Sequence, residues 1–250
     1  MTPINPSEGP TIVVGASRGL GHGIATVLSG AGVPVIALAR SDTALAQLAE
    51  SEPTITAAVA DATDAVAAGS LIDRYQPRNL VLVAGASPLV RPVQHQTWET
   101  FSVNWQTDVR MTFHWVREAL LKPLEPGGKV IVMSSGAALQ GSPLSGGYAG
   151  AKSTQRFIAA YAREEANRDG LGITFTSILP RVTPHTDLGR PAVHAYAART
   201  GQSEEQYMRQ MGPAVTPQVA GAAVLELLRT DAASVGAAYL LTGEGLKGLP

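Results

Sequence analysis

The sequence predicts an α/β protein with a doubly wound, Rossmann-like parallel β-sheet, and two observations support this class. Short β-branched apolar segments alternate with longer alanine-rich segments in which apolar residues recur at helical spacing. The short segments are apolar throughout, which is typical of parallel strands covered by helices on both faces. Repeated units of this kind predict about seven strands in the order 3-2-1-4-5-6-7.

Each element follows from its own segment of the sequence. The apolar segments predict strands at 11–15, 33–39, 55–60, 80–84, 129–134, 173–179 and 238–241. The periodic segments predict a first helix that ends near Gly32 and later helices at 42–50, 64–75, 97–121, 148–168 and 217–229. Ser41 or Asp42 is the expected cap of the second helix.

We expect one domain over residues 11–250, preceded by a flexible N-terminal tail at 1–10, because no linker, repeat or low-complexity segment interrupts the pattern. The least regular part, 181–215, follows the sixth strand. Ligands of open α/β sheets bind beyond the carboxyl ends of the strands. The segment 181–215 is therefore interpreted as a substrate lid.

Composition excludes several function classes. The formal net charge is −1 and the pI about 6.5, so no electrostatic feature indicates nucleic acid or an anionic membrane as a partner. No cysteine is present, which excludes disulfides and thiolate metal sites, and the five histidines have no metal-ligand spacing. The first ten residues do not resemble a signal peptide, and no segment has the ~18 apolar residues of a membrane span. A cytoplasmic protein without a metal is expected.

A glycine-rich turn follows the first strand. It reads Gly15-Ala-Ser-Arg-Gly19-Leu-Gly21, and a helix begins within it. Glycines allow a close approach of the backbone to a ligand, and the helix N-terminus offers free N–H groups to a pyrophosphate. A tight turn is the simpler alternative, but the strand–turn–helix context favours dinucleotide binding. The spacing differs from G-x-G-x-x-G and indicates another branch of dinucleotide-binding proteins.

Two arginines indicate which dinucleotide binds. Arg18 lies in the turn, and Arg40 follows the second strand, where an acidic residue would bind the ribose 2′-hydroxyl of NAD. Two guanidinium groups at these positions suit a 2′-phosphate and predict NADP(H), although each alone is a common surface residue. Asp61 follows the third strand and could bind the adenine amino group or cap the helix that begins near Asp64.

The pair Tyr148 and Lys152 predicts the chemistry. Residues four apart share a helix face, and the chain has only six tyrosines and four lysines, although a surface contact remains the alternative. A nearby ammonium stabilises a phenolate and lowers the pKa of a tyrosine, which can then exchange a proton with a carbonyl/alcohol pair. Ser135 ends the fifth strand, where its hydroxyl could donate to the substrate oxygen or only bond local backbone.

These residues resemble the short-chain dehydrogenase/reductase family, through GASRGLG, Asn104 in FSVNW, Ser135 in VMSSGAA and YAGAK. The resemblance implies a catalytic tetrad in which Tyr148 is the acid/base and Ser135 orients the substrate oxygen. Lys152 would bind ribose and tune Tyr148, and Asn104 would hold a water in a proton relay. The implied cofactor contacts are Gly15, Ser17, Arg18, Gly19, Leu20, Gly21, Arg40, Asp61, Ala84, Gly85, Tyr148, Lys152, Pro180 and Arg181.

The resemblance also implies a homodimer or homotetramer that pairs the helices at 97–121 and 148–168. Three departures from the family pattern stand out. Leu82-Val83 replaces two asparagines after the fourth strand, Val14 replaces a threonine, and Arg181 replaces the glycine that follows Pro180. The Arg181 side chain could turn outward, face the cofactor phosphates or meet an acidic substrate.

The predicted function is hydride transfer between NADP(H) and a ketone or secondary alcohol, with a small molecule as the substrate. The alternative is a catalytically decayed NADP-binding sensor or regulatory module, which the departures at Leu82-Val83 and Pro180-Arg181 favour and the intact tetrad opposes. An epimerase or dehydratase fits less well, because such relatives usually need more chain after the sixth strand.

Overall fold

The computed structural model describes residues 9–250 of the chain. Within this range eight strands form one sheet in the order β3-β2-β1-β4-β5-β6-β7-β8. All neighbours are parallel except β7 and β8, so the predicted doubly wound α/β class and strand order are confirmed and one edge strand is added. The strands are β1 (Thr11–Val14), β2 (Val35–Ala39), β3 (Ile55–Val59), β4 (Asn79–Leu82), β5 (Lys129–Met133), β6 (Thr174–Pro180), β7 (Ala238–Thr242) and β8 (Gly245–Leu249).

Helices connect the parallel strands, and several begin at the side chains that the sequence marks as caps. The helices are α1 (Gly19–Gly30), α2 (Asp42–Ser51), α3 (Ala65–Tyr75), α4 (Trp98–Asn104), α5 (Arg110–Leu121), α6 (Ala137–Gln140), α7 (Tyr148–Arg168), α8 (Gly189–Thr200), α9 (Glu204–Met211) and α10 (Pro217–Arg229). Ser41 caps α2, since its Oγ accepts from Ala44 N at 3.4 Å. Asp64 caps α3, since its Oδ1 accepts from Val66 N at 2.9 Å.

Apolar cores cover both faces of the sheet. Successive side chains of a strand point to opposite faces, so Val13 packs with α1, α2 and α10, while Ile12 and Val14 pack with α3, α5 and α7. Strands buried on both faces explain why the sequence shows apolar segments without alternation. A ligand can then reach the sheet only at the strand ends.

The segment 181–215 is more regular than predicted, because it contains α8 and α9. Gly201, at φ +67°, ends α8 in the left-handed conformation. Ser203 then begins α9 with a capping box, in which its Oγ accepts from Gln206 N and the Gln206 side chain accepts from Ser203 N. The Ser-x-x-Gln signal of α9 is readable in the sequence, but α9 is short and mostly polar, and α8 has weak apolar periodicity, so neither helix was predicted.

Two further differences from the predicted elements concern the helix at 97–121 and the end of the sheet. The predicted helix at 97–121 is divided by a π-helical turn, Trp105–Val109, which links α4 to α5. Strand β8 is not predicted, because the glycines and lysine of Gly245–Leu249 do not form an apolar segment. Of the predicted tail at 1–10, residues 1–8 lie outside the described residues. The carbonyl of Pro10 accepts a hydrogen bond from Arg78 N at 2.8 Å, which ties this residue to the start of β4.

Candidate active site

A cavity of about 1160 Å³ opens at the carboxyl ends of the parallel strands. Of all the predicted site residues, only Asn104 does not line it. The cavity brings together Gly15, Ser17, Arg18, Gly19, Leu20, Gly21, Arg40, Asp61, Ala84, Gly85, Ser135, Tyr148, Lys152, Pro180 and Arg181. The fold therefore assembles residues from 15 to 181 of the chain in one place.

The glycine turn closes tightly between β1 and α1. Gly15 has φ +98°, and a Cβ at this position would lie 2.6 Å from Ala84 N. A Cβ on Gly21 would lie 2.0 Å from the carbonyl oxygen of Gly15, so a side chain there would force the turn apart. Since the first N–H groups of α1 have no acceptor within the helix, the turn forms a cradle that fits a pyrophosphate.

Charged side chains surround this cradle. Arg18 Nη1 lies 3.4 Å from Asp187 Oδ2 in an exposed ion pair between the turn and the start of the segment 181–215. The pKa of Asp61 is lowered, first by the N–H and hydroxyl of Thr63, which both donate to its Oδ1, and further by the charge of Arg40. Asp61 does not cap α3, which begins at Ala65 and is capped by Asp64, so the capping alternative is wrong.

Tyr148 begins α7 and Lys152 lies one turn later on the same face, and both are buried. Lys152 Nζ lies 5.5 Å from the centroid of the Tyr148 ring. Ser135 Oγ accepts from Ala137 N at 3.2 Å, which leaves the hydroxyl proton of Ser135 free to donate. The arrangement combines a phenol, an ammonium beside it and a hydroxyl donor in one cavity.

Asp108 is a site residue that the sequence analysis missed. Its Oδ2 lies 3.0 Å from Lys152 Nζ, and the two side chains are only 1% and 6% exposed. Nζ also donates to Gln155 Oε1 at 2.8 Å and to Met133 O at 3.2 Å. Burial by itself lowers the pKa of Lys152, but the attraction of Asp108 and Tyr148 outweighs it and holds that pKa above its usual value. Lys152 is thus a buried ammonium with a buried counter-ion.

Asn104 lies beneath the cavity wall. Its Nδ2 donates to Ala86 O at 2.7 Å and to Asp108 Oδ1 at 3.3 Å. Asp108 Oδ1 also accepts from Ala86 N at 2.8 Å. Asn104 and Asp108 therefore hold the segment after β4, where Leu82-Val83 leaves no asparagine side chain to do so. The i,i+4 spacing of Asn104 and Asp108 was the available sequence signal.

The segment 181–215 supplies aromatic residues to the cavity. Tyr196 of α8 and Tyr207 of α9 stack with ring centroids 6.2 Å apart, and both line the cavity together with Met211. Burial raises the pKa of both tyrosines. Arg181 also lines the cavity, and its side chain is exposed.

Two other features are absent from residues 9–250. No helix in this range is long and apolar enough to cross a membrane. Nor does this range bring together three or more His, Cys, Asp or Glu side chains that could hold a metal ion.

Comparison with known proteins decides the family. The family model described as short chain dehydrogenase matches residues 10–197, which is most of the chain. The chain belongs to this family. It is thus an oxidoreductase of the short-chain dehydrogenase family, and the predicted family membership is confirmed.

Individual relatives agree with this assignment. The chain is 26% identical to a hydroxynaphthalene reductase-like protein, Arp2, of Metarhizium majus (strain ARSEF 297), over 97% of this chain and 96% of the relative. The crystal structure of a variant of actinorhodin polyketide ketoreductase with NADPH has a TM-score of 0.82 at 20% identity, covering 97% and 98% of the two chains. A short chain dehydrogenase from Mycobacterium avium has a TM-score of 0.75 at 18% identity, covering 97% and 85%. At these identities the two structures show a shared fold.

Proposed function

We propose that this short-chain dehydrogenase is an NADP(H)-dependent carbonyl reductase or alcohol dehydrogenase that acts on a ketone/secondary alcohol pair. One observation carries the proposal. Tyr148, Lys152 and Ser135 line the same cavity as the glycine turn, so a dinucleotide and a small carbonyl substrate can share it.

The cofactor end of the cavity fits a nicotinamide dinucleotide. The backbone of Gly15, Gly19 and Gly21 and the N-terminus of α1 would hold the pyrophosphate. Ala84, Gly85, Pro180 and the main chain of Arg181 would lie along the nicotinamide half, and Asp61 would lie at the adenine. Arg40 stands after β2 in place of a carboxylate, and with Arg18 it would hold a 2′-phosphate. When bound, the nicotinamide supplies or accepts the hydride.

Tyr148 would move the proton. In the reductive direction its phenol donates to the ketone oxygen as negative charge develops there, and in the oxidative direction its phenolate accepts the alcohol proton. The ammonium of Lys152 favours the phenolate and would bind ribose hydroxyls. The free hydroxyl proton of Ser135 would stabilise the substrate oxygen. Asn104 would hold a water of the proton relay that runs through Lys152. Its side chain is linked to that of Lys152 by Asp108, which contacts both.

We propose that residues 181–215 form a lid over the substrate, because Tyr196, Tyr207 and Met211 of this segment line the cavity.

We also propose a homodimer or homotetramer formed through α5 and α7. Phe113 of α5 and Phe157 of α7 are exposed, which supports this assembly. The proposed location is the cytoplasm, since a chain without cysteine needs no oxidising compartment.

The test combines cofactor binding with turnover. Fluorescence titration with NADPH and NADH is followed by an NADPH-consumption assay on a panel of ketones, for the wild type and for Tyr148→Phe. We expect wild-type turnover, and a loss of kcat of at least a thousandfold in Tyr148→Phe with NADPH binding retained. Tyr75→Phe, at the end of α3, is the control and should keep the wild-type rate. Binding of NADPH with no turnover in the wild type would favour the sensor instead.

A further inference from the structure

The charged residues of the cavity lie in three places. Arg18, Arg40 and Asp61 lie at the end proposed for the cofactor, with Asp187 paired to Arg18, and Lys152 and Asp108 lie beside Tyr148. The Arg181 side chain follows β6. Its Cγ is 3.9 Å from the position of a Cβ on Gly136, the residue after Ser135. Its positive charge also lowers the pKa of Tyr207, on α9, against the larger effect of burial. The side chain therefore lies beside the strand end that carries Ser135, within electrostatic range of Tyr207.

Arg181 has no hydrogen-bond or ion-pair partner for its guanidinium within residues 9–250, whereas Arg18 is paired with Asp187 and Lys152 with Asp108. Arg40 is likewise unpaired, but it lies close enough to Asp61 to lower the pKa of that carboxyl and stands at the position proposed for the 2′-phosphate. The Arg181 guanidinium forms no hydrogen bond or ion pair with any residue in the described range, and only its main-chain N–H is used, by Leu241 O at 2.9 Å. A guanidinium offers five N–H donors, so an unused binding group faces the cavity.

The cavity that Arg181 lines also has apolar and aromatic walls. The stacked rings of Tyr196 and Tyr207 line it from the segment 181–215. Further apolar residues that line it include Leu139, Pro143, Val182 and Met211. Apolar walls with an unpaired cation fit a ligand with an apolar body and one anionic group. The planar guanidinium suits a carboxylate or a phosphate, which it binds through two parallel hydrogen bonds.

We propose that Arg181 is a substrate-binding residue, and that the substrate is an apolar or aromatic ketone that carries an anionic group. The carbonyl would lie at Tyr148 and Ser135, and the carboxylate or phosphate would lie at Arg181. This inference rests on the proposed function. It accounts for an arginine at the position where the family pattern has glycine, and it selects the acidic substrate among the three alternatives for Arg181.

Matched ketones test the proposal with the full-length protein. Keto acids are compared with their methyl esters, and keto-alcohol phosphates with the free alcohols, for the wild type, Arg181→Gln and Arg181→Lys. We expect the wild type to prefer one anionic series by at least tenfold in kcat/KM. Arg181→Gln should abolish this ratio, and Arg181→Lys should retain part of it. The NADPH dissociation constant of each variant, measured by fluorescence, reports whether the variant is folded. Arg190→Gln, an exposed lid arginine outside the cavity, is the matched control.

Each outcome decides the inference. Preference for the carboxylate series identifies a keto acid, and preference for the phosphate series identifies a ketone phosphate. Equal kcat/KM for charged and neutral partners in the wild type overturns the inference and leaves the proposed function standing. The same conclusion holds if Arg181→Gln keeps the wild-type ratio. If the wild type binds NADPH but reduces no ketone of any series, the proposed function itself fails.

Discussion

Lys152 and Asp108 form an ion pair that is almost completely withdrawn from water. The pair lies between α7 and the π-helical turn, so it joins the tyrosine–lysine motif to the helix that carries Asn104. Other groups pack closely around Asp108. A Cβ on Gly85 would lie 2.8 Å from Asp108 Oδ2, and Gln155 Nε2 donates to the carbonyl of Asp108 at 3.1 Å. The carboxylate thus holds the ammonium in position beside Tyr148.

Removal of this counter-ion should destabilise the protein. Asp108→Asn leaves a buried ammonium without its partner, and such a change costs about 3 kcal/mol. Asp73→Asn removes the carboxylate of an exposed pair with Lys122 and should cost less than about 1 kcal/mol. Urea unfolding of the two variants measures the difference. Equal losses of unfolding free energy would contradict the description of Asp108 as a buried counter-ion.

Arg40 provides a second prediction, on cofactor choice. If it binds a 2′-phosphate, Arg40→Ala should weaken NADPH binding about ten- to a hundredfold, which corresponds to the ~1.5–3 kcal/mol of a charged hydrogen bond. NADH binding should stay within about twofold. Arg74→Ala, on the exposed end of α3, is the control. Equal or tighter binding of NADH by the wild type, unaltered by Arg40→Ala, would overturn the NADP preference.

At the scale of residues, the sequence predicted groups whose spacing is local. Tyr148 and Lys152 lie four residues apart on one helix, and the three glycines of the turn lie within seven residues of the sequence. Asp108 was not predicted, because its partner Lys152 is 44 residues away and the contact depends on the π-helical turn. The surroundings of Arg181 were likewise not predicted, because its nearness to Gly136 and its electrostatic effect on Tyr207 join residues that are distant in the sequence.

At the scale of elements, the packing of α1 against α10 depends on two glycines. A Cβ on Gly23 would lie 2.3 Å from Pro217 Cβ, and one on Gly221 would lie 2.6 Å from Val27 Cβ. The backbones of the two helices therefore approach more closely than side chains would allow. Since α1 also forms the glycine turn, this packing positions the cofactor end of the cavity.

Two glycine-to-alanine substitutions in α1 should have opposite effects on the free energy of unfolding. Gly23→Ala overpacks the contact with α10 and should lower the free energy of unfolding by about 1–3 kcal/mol. Gly30→Ala, in the same helix, meets no atom within 4 Å and should raise it by about 0.5 kcal/mol. Thermal unfolding of both variants is the measurement. If Gly23→Ala leaves the free energy of unfolding unchanged, α1 and α10 can move apart without loss of stability, which would contradict this account of their packing.

Strands with continuous apolar segments and helices with a continuous apolar face could be predicted from the sequence. Helices α8 and α9 and strand β8 could not. Helix α10 was predicted at its observed bounds, since Pro217 begins it and its apolar face is continuous. Helix α8 has weak apolar periodicity, and α9 is eight residues long and mostly polar, so only the capping box marks α9 and nothing comparable marks α8. Strand β8 is held by pairing with β7, a tertiary interaction that its own sequence does not specify.

At the scale of the whole molecule, large apolar side chains are exposed on α5 and α7. Phe113 and Leu121 lie on α5, and Phe157 and Tyr161 lie on α7 with their rings stacked 6.2 Å apart. These are the helices that the family resemblance assigns to an interface. An apolar surface of this kind on a folded protein usually contacts another chain.

A charge in this surface should therefore prevent assembly. Wild-type protein should have the mass of a dimer or tetramer in size-exclusion chromatography with light scattering, and Phe157→Glu should reduce that mass. Val66→Glu, at an exposed position on α3, is the matched control and should leave the mass unchanged. A monomeric wild type would contradict the assembly.

The central claim is that Tyr148 gives the proton while the cofactor gives the hydride to a ketone carbon. It is tested most directly with NADPH deuterated at C4, in both stereoisomers, and mass spectrometry of the product alcohol. One stereoisomer should transfer one deuterium to the carbinol carbon with the wild type, and Tyr148→Phe should yield less than about a thousandth as much product in the same time. Product without deuterium from either stereoisomer, or equal transfer by Tyr148→Phe, would contradict the claim.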